Sequence, residues 1–316
     1  MNFIFRNDPF THPMLKVLVN FLDKKPSDIK KKKFFFLTFY ILMEKKDNGI
    51  LVDDPLSFFY TFLFYKEFNL NITFWALEIY SKQVSSKTFK NLFRNIFFEL
   101  LTILGFRISK KIIFPSYLRK NYYENKILYS SVERKSTIVH NIPIFTKPGK
   151  IGYELYKYIR KLKDQGIKII IYAGSIQEGR DIFKFIDKLK NKHGYYFLIA
   201  GNIKGNITKE NLESENSKYI GNLTTEEVSC IYSLSDFGLL YYDNKPLNSA
   251  YCAPVKIWEY LNYDLKIIGN DNIALLTEWS KYIDIYIDDI NHIDHINNDK
   301  EKKHFNIEQF MDIYDR

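Results

Sequence analysis

The chain has 316 residues, 46% of them hydrophobic, and this length is enough for two domains of about 150 residues each. Its two cysteines, Cys230 and Cys252, exclude a disulfide framework and a zinc-binding spacing, and its first residues lack the pattern of a signal peptide, so we expect a cytoplasmic protein. No apolar run reaches the ~18 residues of a membrane span, and the formal charge of +9 suits an anionic partner such as a phosphorylated substrate or an anionic lipid surface.

Strand-like and helix-like segments alternate along the first half of the chain. Runs rich in β-branched and aromatic residues predict strands at residues 2–6, 49–52, 72–77, 111–114 and 137–140. Helical spacing of apolar residues predicts helices near residues 13–23, 55–68, 87–104 and 117–125. Such alternation is typical of βαβ units, so we expect a parallel sheet covered by helices.

Two segments of this half combine basic and aromatic residues. Residues 24–40 (KKPSDIKKKKFFFLTFY) join a lysine cluster to an aromatic run, and residues 92–111 (LFRNIFFELLTILGFRISKK) form an amphipathic segment with basic residues at its end. Both are suited to an anionic membrane face, and both are equally suited to a solvated lysine face that flanks a core helix.

The second half repeats the α/β pattern after a break at residues 142–150 (IPIFTKPGK), where two prolines and a glycine interrupt it. Strands are predicted at residues 168–173, 196–200, 219–220, 237–241 and 265–268, and helices near residues 151–164, 180–192, 225–234, 254–262 and 272–281. We therefore predict two doubly wound parallel-sheet domains, residues 1–146 and 147–300, and a tail at residues 301–316. Ligands of such sheets lie beyond the carboxyl ends of the strands. No G-x-G-x-x-G follows the first strand, which argues against a nicotinamide cofactor.

A glycine turn joins a strand to a helix at residues 171–187 (IYAGSIQEGRDIFKFID). Its spacing G-x-x-x-x-G is that of a P-loop, but Arg180 and Asp181 stand where a P-loop has Lys and a Ser or Thr. The segment is therefore not a P-loop. A strand, a glycine turn and a helix N-terminus still provide backbone N–H groups for an anion, and the alternative is a simple strand-to-helix turn.

A second candidate site begins at Pro254, which fits the first turn of a helix. Lys256 and Glu259 are three residues apart and share one face of that helix. Near the helix N-terminus, Lys256 and the backbone amides can hold phosphate, while Glu259 can accept hydrogen bonds from two ribose hydroxyls. The alternative is an ordinary ion pair on the surface.

The order of several segments resembles the C-terminal, donor-binding domain of the bacterial retaining glycosyltransferase family 4, or group 1, which builds capsules and lipopolysaccharide. The segments are IIIYAGSIQEGRDI, YYFLIAGN, YIGNLTTEEVSCIYSLSDFGLLYY and APVKIWEYLNYDLKIIGND, while IIFPSYLRKNYY and TIVHNIP resemble the end of that family's N-terminal domain. The resemblance covers residues 111–271, and over residues 1–110 it is architectural. It implies the GT-B fold, in which two Rossmann-like domains face a cleft, with an N-terminal acceptor-binding domain and a C-terminal domain for the nucleotide sugar. It also implies that the tail is a helix that packs back on the N-terminal domain.

The resemblance also implies the positions that bind the donor. Gly174 and its loop would lie against the donor diphosphate, with Arg180 where the family usually has Lys and Ser175 where it usually has Arg. Asn202 and the loop at residues 220–222, which includes Asn222, would line the base pocket.

A departure from the family pattern occurs in the segment that begins at Tyr251. Glu259 matches the second Glu of the family's E-x7-E motif, which is associated with the ribose, but Tyr251 stands in place of the first Glu. This departure leaves the donor sugar and the stereochemistry of transfer open.

Transfer of a sugar requires that charge on the departing diphosphate be stabilised. Arg180, Lys256 and a helix N-terminus can do this by fixed electrostatics, so we expect neither a metal nor a cofactor. If configuration is retained, the leaving phosphate assists deprotonation of the acceptor, and if it is inverted, a general base of the N-terminal domain is needed. Candidates at strand ends are Asp8, His12, Asp53, Asp54 and Glu78, although Asp53 or Asp54 can instead cap the helix that begins at Pro55.

We therefore predict a glycosyltransferase, more narrowly a hexosyltransferase, that moves a sugar from a nucleotide-diphosphate sugar such as a UDP-sugar to a hydroxyl of a growing, lipid-linked surface glycan. We expect it to lie peripherally on the inner face of the plasma membrane. The alternatives are a catalytically silent transferase-like partner subunit, for which Tyr251 argues, and a nucleotide-sugar epimerase. Nucleic acid is not an expected partner, because no recognised binding module is present and charge alone discriminates poorly.

Overall fold

The computed structural model describes residues 2–10, 12–34, 37–43, 49–65, 71–82, 88–130, 132–177, 180, 182–190 and 192–295. Internal contacts divide the chain into unit 1, Met1–Ile144 with Pro246–Ala253, and unit 2, Phe145–Lys245 with Pro254–Arg316. Pro246–Ala253 therefore packs with unit 1, although it lies within the predicted second domain, residues 147–300. The predicted helix of the tail, residues 301–316, lies outside the described residues.

Unit 1 is built around one mixed sheet. Its strands are β1 (Asn2–Phe5), β2 (Lys30–Phe34), β3 (Leu37–Leu42), β4 (Ile50–Val52), β5 (Ile72–Trp75), β6 (Lys111–Phe114) and β7 (Ser136–Ile138). Its helices are α1 (Pro13–Phe21), α2 (Pro55–Phe64), α3 (Phe89–Ile108), α4 (Tyr117–Glu124), α5 (Val132–Lys135) and α9 (Leu247–Ala250). In the described residues the strand order is β2-β3-β1-β4-β5-β6-β7. The strands β1, β4, β5, β6 and β7 are parallel, as predicted.

A hairpin at one edge of this sheet was not predicted. The strands β2 and β3 pair antiparallel with each other, and β3 pairs antiparallel with β1, so the expectation of a wholly parallel sheet is wrong here. The edge strand β2 begins with four exposed lysines, Lys30 to Lys33. Four successive lysines show no alternation of apolar and polar residues, so the period of a strand is not visible in this segment. Lysines on an edge strand also discourage pairing with another chain.

The core of unit 1 is strongly aromatic. Phe106, on the inner face of α3, contacts Phe74 and Phe114 edge-on, with ring centroids 5.1 and 5.6 Å away. Tyr123 of α4 closes the same cluster, 4.9 Å from Phe106. The inner face of α3 is therefore packed against the core of unit 1. The side chains on its other faces are not part of this aromatic cluster.

Unit 2 contains a second α/β arrangement. Its strands are β8 (Lys168–Ala173), β9 (Tyr195–Ala200), β10 (Ser217–Gly221), β11 (Phe237–Leu240), β12 (Lys266–Gly269) and β13 (Ile285–Tyr286). Its helices are α6 (Tyr153–Asp164), α7 (Phe183–Leu189), α8 (Thr225–Leu234), α10 (Val255–Asn262) and α11 (Ile273–Leu276).

The sheet of unit 2 is parallel throughout its described strands, with the order β10-β9-β8-β11-β12-β13. Every residue of β9 and β11 is buried. Strands buried on both faces read as continuous apolar runs, and this is why they could be predicted from the sequence. The two units confirm the predicted α/β fold class.

Local sequence signals fix where the helices begin. Thr224 and Glu227 form a reciprocal capping box at the start of α8, and Asp54 accepts a hydrogen bond from the amide of Ser57 at the start of α2. These side chains satisfy amides that have no partner inside the helix. Within the described residues, no helix is both long enough and apolar enough to cross a membrane.

Candidate functional site

The sheet of unit 2 reverses its strand order between β8 and β11. From β8 the chain proceeds to β9 and β10 on one side, and from β11 it proceeds to β12 and β13 on the other. In parallel sheets of this kind, a crevice opens beyond the carboxyl ends of the two strands at the reversal, and ligands bind there. Gly174 directly follows β8, and Tyr241 and Tyr242 directly follow β11.

The backbone at Gly174 is closely packed against the end of β9. The amide of Gly174 donates to the carbonyl of Ala200 (3.0 Å), and the amide of Ile176 donates to the carbonyl of Asn202 (3.0 Å). Gly201 has φ of +129°, and a Cβ atom there would lie 1.9 Å from the carbonyl oxygen of Gly174. Because these two amides are used in strand pairing, the cationic side chains beside the loop carry the main attraction for an anion.

Two cations converge on Gly174. A Cβ atom built on this glycine would lie 3.3 Å from Cε of Lys256 and 3.5 Å from Nη1 of Arg180. The guanidinium of Arg180 lies over the ring of Tyr242, 5.1 Å from its centroid. Stacking on an aromatic face holds a guanidinium in place while leaving its edge for hydrogen bonds. The structure thus brings Gly174, Arg180 and Lys256 together.

Lys256, Glu259 and Tyr232 form a triangle of hydrogen bonds. Nζ of Lys256 is 3.2 Å from Oε2 of Glu259 and donates to the hydroxyl of Tyr232 (3.1 Å), which donates to Glu259 (3.0 Å). Burial, and next the charge of Glu259, raise the pKa of Tyr232 well above its usual range. The side chains of Lys256 and Glu259 keep 20% and 27% of their exposure, so both remain accessible to a ligand. The sequence left open an ordinary surface ion pair between Lys256 and Glu259. In the structure this pair is joined by Tyr232 in a network of three hydrogen bonds.

Further polar groups frame the same edge of the sheet. The side chain of Asn270, after β12, accepts from the amide of Tyr242 (3.1 Å) and donates to its carbonyl (2.9 Å), which fixes the segment under Arg180. Pro254 is the N-cap residue of α10, and no side chain caps this helix. Among the described residues no side-chain hydrogen bond caps the N-terminal amides of α10, and a bound anion is suited to them.

The other predicted donor residues are more dispersed. The carbonyl of Ser175 accepts from the hydroxyl of Tyr172 (2.8 Å), and Ser175 is half-buried. Asn202 and Asn222 follow the neighbouring strands β9 and β10, and both are exposed. Gly179 and Asp181 of the glycine loop lie outside the described residues.

Tyr251 belongs to unit 1 and has a packing environment of its own. Nε of Arg119 donates to the carbonyl of Tyr251 (2.9 Å), and the ring of Tyr251 meets that of Tyr122 edge-on at 6.2 Å. The ring also packs against the aromatic core of unit 1. This residue anchors the segment Pro246–Ala253 to unit 1.

Two adjacent carboxyls, Asp53 and Asp54, are buried at the end of β4. Asp53 accepts from the amide of Arg6 (3.1 Å), the hydroxyl of Ser57 (2.9 Å) and the side-chain amide of Asn7 (3.2 Å). Asp54 accepts from the amide of Ser57 (2.6 Å) as the cap of α2. Burial raises the pKa of both carboxyls, because the charged form is poorly solvated there. Their hydrogen bonds give them a structural task, as the capping alternative expected.

His12 and Glu78 lie close enough to interact electrostatically. Burial lowers the pKa of His12, and the charge of Glu78 partly offsets this by raising it. The carboxylate of Glu78 accepts a hydrogen bond from the side-chain amide of Asn248, whose carbonyl accepts from the amide of Ile79 (2.8 Å). Glu78 is half-buried, unlike the enclosed Asp53 and Asp54, so its carboxylate is more accessible to a ligand.

Asp8 has polar contacts within its own loop and with Tyr40 of β3. Its carboxylate accepts from the amide of Phe10 (2.9 Å), and its carbonyl accepts from the amide of His12 (2.9 Å). Burial, and next Asp8, raise the pKa of Tyr40. Among the acceptor-side candidates, His12 and Glu78 interact although they are far apart in the chain.

Sequence reasoning missed three residues of the site in unit 2: Tyr232, Tyr242 and Asn270. Tyr242 and Asn270 each follow the carboxyl end of a predicted strand, and that position was the available signal. Tyr232 lies on the inner side of α8 and had no such signal. It reaches Lys256 only because α8 and α10 are neighbours in the folded unit.

No protein-family model matches the chain, and no curated protein matches it in sequence. Among solved structures, it is similar to trehalose-6-phosphate synthase from E. coli bound with UDP-2-fluoro glucose, at 10% identity and a TM-score of 0.55, over 87% of this chain and 83% of that one. It is also similar to sucrose-phosphate synthase from Thermosynechococcus elongatus, at 14% identity and a TM-score of 0.51, over 72% of this chain and 57% of that one.

A third similar structure is WaaG, a glycosyltransferase involved in lipopolysaccharide biosynthesis, at 12% identity and a TM-score of 0.51, over 85% of this chain and 68% of that one. The chain thus spans less than two thirds of the sucrose-phosphate synthase chain. Similarity at these identities concerns the fold. The chain has the GT-B α/β fold, which confirms the predicted fold.

Proposed function

We propose that the chain is a glycosyltransferase that uses a nucleotide-diphosphate sugar as donor, with the diphosphate held beside Gly174. The observation that carries this proposal is the convergence of Arg180 and Lys256 on Gly174 at the strand-order reversal of unit 2. It is further supported by the GT-B fold and by the UDP-sugar bound in the E. coli trehalose-6-phosphate synthase structure. We extend the proposal to a UDP-hexose donor.

The proposed reaction breaks the bond between the anomeric carbon and the diphosphate oxygen. Arg180 and Lys256 stabilise the negative charge that develops on the diphosphate, and no metal is needed for this role. The acceptor oxygen forms the new bond to the anomeric carbon. In a retaining reaction, which we favour, its proton passes to the leaving diphosphate, and in an inverting one it passes to Glu78 or His12.

A donor-turnover assay tests the proposal and separates the alternatives. The purified chain is incubated with UDP-glucose and related UDP-sugars, and NMR follows release of UDP and the configuration of the released sugar. We expect slow release of UDP with retained configuration. Conversion of one UDP-sugar into another without UDP release would favour an epimerase. Turnover of none would favour the silent partner subunit, for which Tyr251 in place of the family's first Glu argues.

Replacing Glu259 tests the ribose role. We expect Glu259→Ala to weaken UDP binding by about tenfold, because the ribose loses an acceptor and Lys256 loses its orienting partner. The pair is partly exposed, so unfolding stability should change by less than about 1 kcal/mol. Calorimetry measures the affinity, with Glu215→Ala at an exposed acid of unit 2 as control. Unchanged affinity in Glu259→Ala would refute the ribose role.

We further propose that the acceptor is a lipid-linked glycan and that unit 1 lies on an anionic membrane through α3. One face of this helix exposes seven large apolar residues: Phe89, Leu92, Phe93, Ile96, Phe97, Leu100 and Leu104. Phe89 is 85% exposed and Phe93 is 66% exposed. A contiguous exposed apolar surface of this kind is typical of a protein or membrane interface.

Charge on α3 favours an anionic bilayer as the partner. Lys90 and Arg107 are exposed near the two ends of the helix. Its one acidic residue, Glu99, is engaged by Ser81 and by Lys126 (3.3 Å) rather than directed to solvent. An apolar face flanked by cations is suited to the boundary between anionic headgroups and acyl chains.

Vesicle binding tests this surface. We expect Phe93→Ser with Leu100→Ser to weaken co-sedimentation with vesicles of phosphatidylcholine and phosphatidylglycerol by at least about tenfold, because the two large side chains together lose up to about 4 kcal/mol of apolar burial. The control is Tyr117→Ser with Leu128→Ser, two exposed residues of unit 1 outside α3. Equal binding by both double variants would contradict the assignment of α3.

A further inference from the structure

Unit 2 contains a groove whose basic residues have no role in the proposed transfer, and its lining also includes Ile220 and Gly221 of the loop predicted for the base. It lies between α6 and the edge strand β10 and has a volume of about 660 Å³. Four lysines line it, Lys157 and Lys161 from α6, Lys218 from β10 and Lys209 from the loop before β10, with Glu154 as the one acidic residue of the lining. Sites for small molecules have volumes of roughly 300–1,000 Å³, so the groove is of a suitable size.

The charges of this groove are largely uncompensated. Lys157 and Lys161 are one helical turn apart, and like charges at this spacing destabilise a helix. Neither makes an ion pair in the part of the chain that the structure describes. Elsewhere in unit 2, Lys163, Lys188 and Lys190 each lie within 4 Å of an aspartate. A groove lined by charges of one sign attracts a ligand of the opposite sign.

Two of the lysines are held in position by neighbours. Nζ of Lys218 lies over the ring of Tyr158, 4.5 Å from its centroid, and Tyr158 packs edge-on against Tyr196 at 5.6 Å. Lys209 is 3.5 Å from the carboxylate of Glu213. Cations that are fixed before a ligand arrives lose less conformational freedom on binding, so their charge is used more effectively.

We propose that this groove binds a small ligand that carries two or more phosphate groups, at a site separate from the one formed by Arg180 and Lys256. The ammonium groups of Lys157, Lys161 and Lys218 have no ion pair within the described residues, and three such groups exceed what one phosphate requires. Tyr158, beside Lys218, provides an apolar wall for the body of the ligand. The inference does not depend on the proposed transfer reaction, because none of the residues that carry it belongs to the Arg180 and Lys256 site.

Calorimetry with two probes, inorganic tripolyphosphate and fructose bisphosphate, tests the groove. We expect Lys157→Ser with Lys161→Ser to weaken binding of at least one probe by about tenfold or more. The matched control, Lys188→Ser with Lys190→Ser, removes the same charge from another face of unit 2 and should bind as the wild type does. Preference for fructose bisphosphate would indicate a sugar phosphate as ligand, and preference for tripolyphosphate an inorganic one.

Variants of each anion site test the two sites independently. Arg180→Ala with Lys256→Ala should lose UDP binding and keep the probe binding that depends on Lys157 and Lys161, whereas the groove variant should keep UDP binding. If the groove variant and its control bind both probes with equal affinity, or if the wild type binds neither, the groove proposal is overturned. That outcome would leave the proposed function untouched, because the proposed function is tested by UDP binding.

Discussion

Replacing Lys256 by alanine is expected to weaken UDP binding by roughly a hundredfold, or about 2.7 kcal/mol, which is the upper range for a hydrogen bond to a charged group. The side chain of Lys256 lies beside Gly174, and its ammonium group is oriented by hydrogen bonds to Tyr232 and Glu259. Its removal leaves the carboxylate of Glu259 near the diphosphate without the cation that neutralises it. Calorimetry on the folded variant measures the loss.

Lys281→Ala is the control for this experiment. Lys281 also lies in unit 2 and also sits over an aromatic ring, that of Tyr282, at 4.9 Å, but it is not among the residues at Gly174. We expect its affinity for UDP to equal that of the wild type. An affinity of Lys256→Ala within about twofold of this control would contradict the placement of the diphosphate beside Lys256.

Replacing Gly201 by alanine is expected to destabilise the protein by about 3 kcal/mol or more. The new Cβ atom would lie 1.9 Å from the carbonyl oxygen of Gly174, and the φ of +129° is strained for any residue with a side chain. Relief of the clash requires the end of β8 to move away from β9. Because Gly174 lies beside Arg180 and Lys256, the same movement should also weaken UDP binding. Urea unfolding measures the loss of stability.

Gly205→Ala separates the clash from the backbone strain. Gly205 also has a positive φ, +75°, but a Cβ atom there would meet nothing within 4 Å. We expect this control to cost about 1 kcal/mol from backbone strain alone and to leave UDP affinity unchanged. Equal destabilisation by the two substitutions would show that the contact between Gly201 and Gly174 is not closely packed in solution.

Unit 2 could be predicted in detail because its sequence signals are local. The β-branched run of β8 and the buried run of β9 read as strands, and the helices between them show regular apolar spacing. The edge hairpin of unit 1 could not be predicted in this way. The lysines of β2 are stabilised by pairing with β3, and that pairing is a tertiary property rather than a local one.

The candidate site shows the same division. Lys256 and Glu259 were identified because they are one helical turn apart, and Arg180 because it follows a glycine turn. Tyr232 and Tyr242 come from other elements, and only the folded sheet brings them to these charges. Tyr251 could be recognised as a departure from a family motif, but its attachment to Arg119 and Tyr122 requires the packing of unit 1.

The central claim is that unit 2 holds a nucleotide diphosphate at the end of β8, and a thermal-shift screen of the purified chain against nucleotide diphosphates and nucleotide sugars tests it most directly. A ligand at ~100 times its dissociation constant stabilises a folded protein by about 2.7 kcal/mol, which is readily measured. We predict selective stabilisation by UDP and a UDP-sugar, and loss of this response in Lys256→Ala. Absence of stabilisation by every nucleotide in the panel would contradict the account.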